Sequence, residues 1–120
     1  MSEFECIDVR DASEVSIVRL VDEKVMDPQR VQKLGEELLT LPKIKPGRIL
    51  INMSNVKFLS SAAINKLLIL EKRLSKQGGR IKFSNLRPEV QEVFNITNLN
   101  SVFDICEAEE DAIEELRSNT

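Results

Sequence analysis

Hydrophobic positions recur with two periods along this chain, and each change of period marks a boundary. Apolar-polar alternation over residues 5–9 and 15–21, with the polar link "RDASE" between them, predicts an N-terminal hairpin with a somewhat long loop. At "MDPQRVQKLGEELLTL" the spacing lengthens. Val31, Leu34, Leu38 and Leu39 return at three- and four-residue steps, which gives one apolar helical face. Asp27 and Pro28 open that helix as its cap and its first helical residue. "LPKIKPGR" breaks it, and "RILINM" reads as a buried strand. A second helix is predicted over residues 60–77. Ile64, Leu67, Leu68 and Leu74 form its stripe, widened by Ala63 and Leu70, with Lys66, Lys72, Arg73 and Lys76 on the opposite side. Gly78 and Gly79 end it as a C-terminal cap would. "RIKFSNL" follows as a strand, "RPEVQEVF" as a short helix begun by Pro88, "SVFDI" as a short strand and "EAEEDAIEEL" as a terminal helix. The acidic first turn of that last helix complements its dipole.

Two strands followed by alternating helix and strand require crossover connections. The expected fold is therefore α/β: a mixed, mainly parallel sheet beside an N-terminal hairpin, with about four helices packed on it. No repeat or low-complexity linker interrupts the order, so residues 1–120 read as one domain. A chain of 120 residues buries an adequate core without metals or disulfides.

Composition excludes more than it assigns. The sequence holds no histidine, which removes Ser-His-Asp and Cys-His nucleophiles and histidine-ligated zinc. Tyr and Trp are absent and the net charge is −3, a poor supply for stacking on bases or gripping a phosphate backbone. Cys6 and Cys106 make no C-x-x-C pair. A disulfide between them is open but nothing requires it, and free thiols in a reducing cytosol are expected, with Cys106 facing the core. The acidic run "EAEEDAIEEL" lacks a D-x-D-x-D-G loop and reads as a solvated face, not a metal site. Gly78-Gly79 lacks the Lys-Ser/Thr of a phosphate loop. No cofactor is implied. No signal-like opening and no apolar run of membrane-spanning length occurs, so the expected location is the cytoplasm, without a membrane or nucleic-acid partner.

The chemistry that remains centres on "NVKFLSSAAINKLLIL". A serine before an apolar helix is the usual N-cap, its hydroxyl satisfying an orphan backbone N–H and worth about 1 kcal/mol. One cap needs one serine. With Ser60 as the cap, Ser61 takes the first helical position with its hydroxyl free to face water. A phosphate there would meet free N–H groups and the positive end of the dipole, so the site could accept phosphorylation without unfolding the domain. A purely structural role for both serines is the simpler alternative.

The stretch "ILINMSNVKFLSSAAINKL" resembles the central motif of STAS domains, the fold of bacterial anti-sigma factor antagonists, which usually reads as a strand ending D-L-S-x-V-x-F-[LMI]-D-S-[ST]-G-L. "QGGRIKFSNLRPEVQEVFNITNLNSVF" is similar to the family's Gly-rich turn, strand, Pro-started helix and terminal strand. "MDPQRV" is similar to the L-D that opens its first helix, with Asp27 in the aspartate's place. The resemblance spans essentially the whole chain. It implies an anti-sigma factor antagonist with no catalytic activity of its own. In such a switch the unmodified antagonist sequesters a serine kinase-like anti-sigma factor, phosphorylation by that partner releases it, and a serine phosphatase resets the cycle. The family's phosphorylated serine falls on Ser61 and its preceding Asp on Ser60. Asp22, Glu23, Asp27, Ser60, Ser61, Ala62 and Asn65 become the expected partner-binding residues. Several positions depart from the family pattern, Ala62 in place of its Ser/Thr among them. Ser60 and Asn52 replace aspartates, and the second of these exchanges a carboxylate expected near the site for an amide. Ala63 replaces Gly, and Asn98 stands for a common Gly whose left-handed backbone Asn tolerates. The alternative is a STAS interaction module without a phosphoswitch, such as a transporter accessory or signalling scaffold subunit.

Overall fold

The computed structural model describes residues 4–12, 14–45 and 47–118. The chain opens with β1 (Ile7–Ala12) and β2 (Val15–Leu20), paired antiparallel from Ile7↔Leu20 to Ala12↔Val15. The predicted long loop is therefore shorter, because Arg10, Asp11 and Ala12 belong to β1. Polar side chains are tolerated there because β1 is an edge strand. Arg10 pairs with Glu109, and Asp11 accepts from Ser16 Oγ at 3.0 Å and from Lys45 Nζ at 2.8 Å. Residues 5 and 6 precede the strand. Their amides donate to the carboxylate of Glu37, at 2.9 Å and 2.8 Å, and that buried acid sits on the apolar face of the first helix.

After β3 (Lys24–Val25), α1 (Pro28–Leu38) begins at Asp27, whose side chain accepts the Arg30 amide. Val31, Leu34 and Leu38 are buried. The break at 41–48 holds one further helical turn, α2 (Leu41–Ile44), before β4 (Arg48–Asn52). Then come β5 (Phe58–Leu59), α3 (Ser61–Lys76), β6 (Arg80–Ser84) and α4 (Pro88–Ile96). Gly78 takes φ +83 after α3, a backbone that favours glycine. The expected strand "SVFDI" is corrected. Leu99–Ser101 forms a 3-10 turn entered from Asn98 at φ 62, and Phe103 is buried against Phe83, so only β7 (Ile105–Cys106) pairs with the sheet. α5 (Glu109–Arg117) ends the described chain.

The main sheet runs β1-β2-β4-β6-β7, with β1 antiparallel and the rest parallel. Strand period two assigns its faces. Ile49, Ile51, Ile81 and Phe83 enter the large core with α1, α3 and α4, while Leu50, Val15 and Ile17 meet Ala112 and Leu116 of α5. Both faces of "ILI" are covered, which is why it reads as continuously apolar. The order α/β with a mainly parallel sheet is as expected. Sequence periodicity did not reveal a second, two-stranded parallel sheet of β3 and β5.

Candidate functional site

The small β3–β5 sheet positions the Ser60–Ser61 turn. Val25 pairs with Leu59, and the Ser60 amide donates to Val25 O at 3.0 Å. Glu23 O accepts from the Lys57 and Phe58 amides. The loop entering α1 and the loop entering α3 are thus laced together at one end of the main sheet. Ser60 is extended, with φ −73 and ψ 163, and its Oγ accepts the Ala63 amide at 3.1 Å. It caps α3.

Ser61 is the first residue of α3 and is exposed. The first intrahelical bond runs from Ile64 N to Ser60 O, so the amides of Ser61 and Ala62 precede the helical ladder. No acidic residue occupies the first turn, whereas Arg73 and Lys76 lie in the last. The helix start therefore presents unopposed positive potential beside a free hydroxyl. Ala62 and Asn65 are exposed on the same turns, while Ala63 is fully buried. The methyl that replaces the motif's glycine hydrogen thus packs inward and does not enlarge the exposed surface.

The three acidic residues of the opposing loop have different duties. Asp27 caps α1. Asp22 accepts from Arg30 Nε at 2.6 Å and Nη2 at 3.0 Å, a bidentate pair that raises the guanidinium's pKa and holds it charged. Arg30 Nη2 also donates to Glu5 O, which binds the N-terminal segment to this loop. Glu23 is exposed, with its carboxylate 3.7 Å from Lys57 Nζ. Asp22 and Asp27 are therefore committed to internal bonds, and Glu23 is the carboxylate of this loop with the most freedom to meet a partner.

Asn52 is not turned toward this helix start. It lies on the α5 face of β4, where Nδ2 donates to Glu109 Oε2 at 2.8 Å and Oδ1 accepts the Ser54 amide at 2.9 Å. The loop after β4 is closed by Arg87 Nε, which donates to Ser54 O at 2.8 Å.

Neither thiol belongs to the site. Cys6 is buried, and desolvation together with Glu37 pushes it up to about 11. Cys106 faces the smaller core under α5, where it is half-buried. Burial raises it too, with Glu115 contributing. Two acidic residues of α5 serve as ion-pair partners, Glu109 of Arg10 and Glu115 of Lys82. Sequence reading did not single out the exposed apolar side chains Met26, Phe58, Val93 and Ile96. A partial signal was present in α4, where Ile96 lies off the stripe formed by Val90, Val93 and Phe94. Among the described residues no helix is long and apolar enough to cross a membrane.

A family model described as STAS domain matches residues 7–112. Over 88 residues the chain is 26% identical to BtrV of Bordetella bronchiseptica, which carries the name of an anti-sigma factor antagonist, covering 73% of this chain and 76% of that protein. The fold is similar to that of an anti-sigma factor antagonist from Mycobacterium paratuberculosis, with TM-score 0.79, 22% identity and 92% of each chain covered. It is also similar to the Bacillus cell fate determinant SpoIIAA in its phosphorylated form, with TM-score 0.69, 20% identity, and 92% of this chain and 99% of that one covered.

Proposed function

The chain belongs to the STAS domain family, and from that premise we propose that it is a cytoplasmic anti-sigma factor antagonist switched by phosphate on Ser61. Unphosphorylated, it binds a serine kinase-like anti-sigma factor through the Ser60–Ser61 turn, Ala62, Asn65 and the loop bearing Glu23. Asp22 and Asp27 shape that loop by their internal bonds. The kinase transfers a phosphoryl group from ATP. A bond forms between Ser61 Oγ and phosphorus, the bond to the ADP oxygen breaks, and the hydroxyl proton passes to a base on the kinase. A serine phosphatase hydrolyses the ester and restores the binding form.

One observation carries this reading. Ser60 alone satisfies the helix cap, which leaves Ser61 exposed on an α3 first turn that holds no acid. A phosphate gains favourable helix-end potential there and takes no hydrogen bond from the fold. The test is incubation with the kinase-like anti-sigma factors of the source organism and ATP, followed by mass mapping. A single phosphate on Ser61, with loss of complex, is expected. Label on Ser60, label that persists in Ser61→Ala, or no phosphate and an undiminished complex would sink the switch. The last outcome returns the chain to a non-switching STAS interaction module.

A further inference from the structure

Between the β3–β5 sheet and α4 lies a groove of about 360 Å³. Phe58, Leu59, Val90, Val93 and Phe94 line it, with Met26 at its rim. Phe58 is 46% exposed, Met26 54% and Val93 39%. Single exposed apolar residues are ordinary, but several converging on one concavity are not. The groove abuts the Ser60–Ser61 turn, because Leu59 and Met26 flank the Val25–Ser60 hydrogen bond.

Its two walls differ electrostatically. On the sheet side the cations are already engaged. Lys57 lies 3.7 Å from Glu23, and Lys24 Nζ stands 5.8 Å from the Phe58 ring centre. On the α4 side Glu89 and Glu92 are exposed and make no ion pair among the described residues. The floor is apolar and its two unanswered charges are both negative. We propose that the groove receives an apolar side chain of the anti-sigma factor, carried on a segment whose Lys or Arg residues lie against Glu89 and Glu92. This deepens the function proposed above and rests on it. The partner's cations are directed to α4, and the surface that covers Ser61 is a separate contact with no cation for a phosphate. Apolar insertion supplies affinity, and the exposed acids set orientation and association rate.

The test uses the purified kinase-like anti-sigma factor that phosphorylates Ser61, titrated by calorimetry into wild type, Phe58→Ala, Val93→Asp and the double charge reversal Glu89→Lys with Glu92→Lys. All the altered side chains are exposed, and melting temperatures confirm folding. At least tenfold weaker binding is expected for each variant. The charge reversal should also lose most of the salt dependence seen with wild type. Folded variants that bind within twofold of wild type overturn the groove while leaving the switch intact. Tighter binding by the charge-reversed protein overturns the basic character of the partner segment. A wild-type dimer that Phe58→Ala dissociates assigns the groove to a second copy and overturns the proposal. A kinase that phosphorylates Ser61 without forming any complex with wild type defeats the earlier reading itself.

Discussion

Asn52 and Glu109 are joined by a 2.8 Å hydrogen bond that requires a donor at position 52, which an ionised aspartate lacks. The Asn52 side chain donates to the carboxylate while its oxygen accepts the Ser54 amide, and Glu109 is shared further with Arg10 at 2.7 Å. An aspartate, usual at this place in the motif the chain resembles, keeps the second bond and loses the first. Asn52 is therefore matched to the acidic start of α5.

Asn52→Asp should lower stability at neutral pH by about 1–3 kcal/mol, since it leaves a buried acceptor facing a carboxylate. Two like charges raise the pKa of the pair in the folded state. The penalty is then full at neutral pH and is relieved as pH falls and one proton is bound. Urea denaturation at pH 7 and pH 5 checks this. A gap from wild type that is equal at both values would remove the like-charge explanation.

Ser60→Ala should cost about 1 kcal/mol, because the Ala63 amide loses its acceptor, and Ser60→Asp should stay near wild type because aspartate also caps. Denaturation midpoints of the three proteins decide it. Equal stability of wild type and the alanine variant would show the cap to be idle.

Phosphate on Ser61 should leave the melting temperature within a few degrees of the unmodified protein, since it adds about −1.5 to −2 charges at an exposed helix start. Buried under the partner without a facing cation, that charge should cost on the order of 2–5 kcal/mol. At 1.4 kcal/mol per tenfold, affinity falls roughly thirty- to several-thousand-fold. Ser61→Asp should reproduce part of the loss, and Ser61→Ala should bind without release. Calorimetry of all three forms reads the result, and loss of affinity accompanied by unfolding would contradict the electrostatic mechanism.

Glu115 lies 2.9 Å from the buried Lys82 ammonium, whose hydrogen bond and charge hold the carboxylate below its usual pKa. A depressed folded pKa contributes stability above the ordinary carboxylate range and loses it as pH falls through the folded value. Glu115→Gln should therefore be less stable than wild type at pH 7, and the difference should close as pH falls below the ordinary carboxylate range. Asp11, lowered chiefly by its bond from Lys45, should behave alike in Asp11→Asn. Thermal melts across this range provide the measurement, and a gap that widens in acid would reverse the assignment.

Iodoacetamide at about pH 8 should label Cys106 well before Cys6. Cys106 is half-buried, whereas Cys6 is 2% exposed with its thiol pushed up to about 11. Peptide mapping over time tests the order, and faster labelling of Cys6 would mean that the N-terminal segment leaves Glu37.

The elements that were legible beforehand depend on nearby residues. Asp27-Pro28 and Ser60 announce helix starts through bonds within three residues, and Gly78 and Asn98 take positive φ for reasons internal to each turn. The stripe of α3 follows from its period. The edge of β1 was misread because the partners of Arg10 and Asp11 lie far along the chain, at Glu109 and Lys45. β3, β5 and β7, each two residues long, fall below the length at which alternation carries information.

By itself the sequence determined the α/β order, the helix caps and the exposed place of Ser61 on the first turn of α3, since all of these follow from period and local hydrogen bonding. Tertiary structure alone decided that Asn52 answers Glu109, that Asp22 is held by Arg30, and that Phe58, Val93 and Met26 border one groove beside Ser61. Those relations join residues from eight to nearly seventy positions apart. No local periodicity records them, because they exist only once the crossovers have brought α4 to the β3–β5 sheet and α5 to the opposite face of the main one.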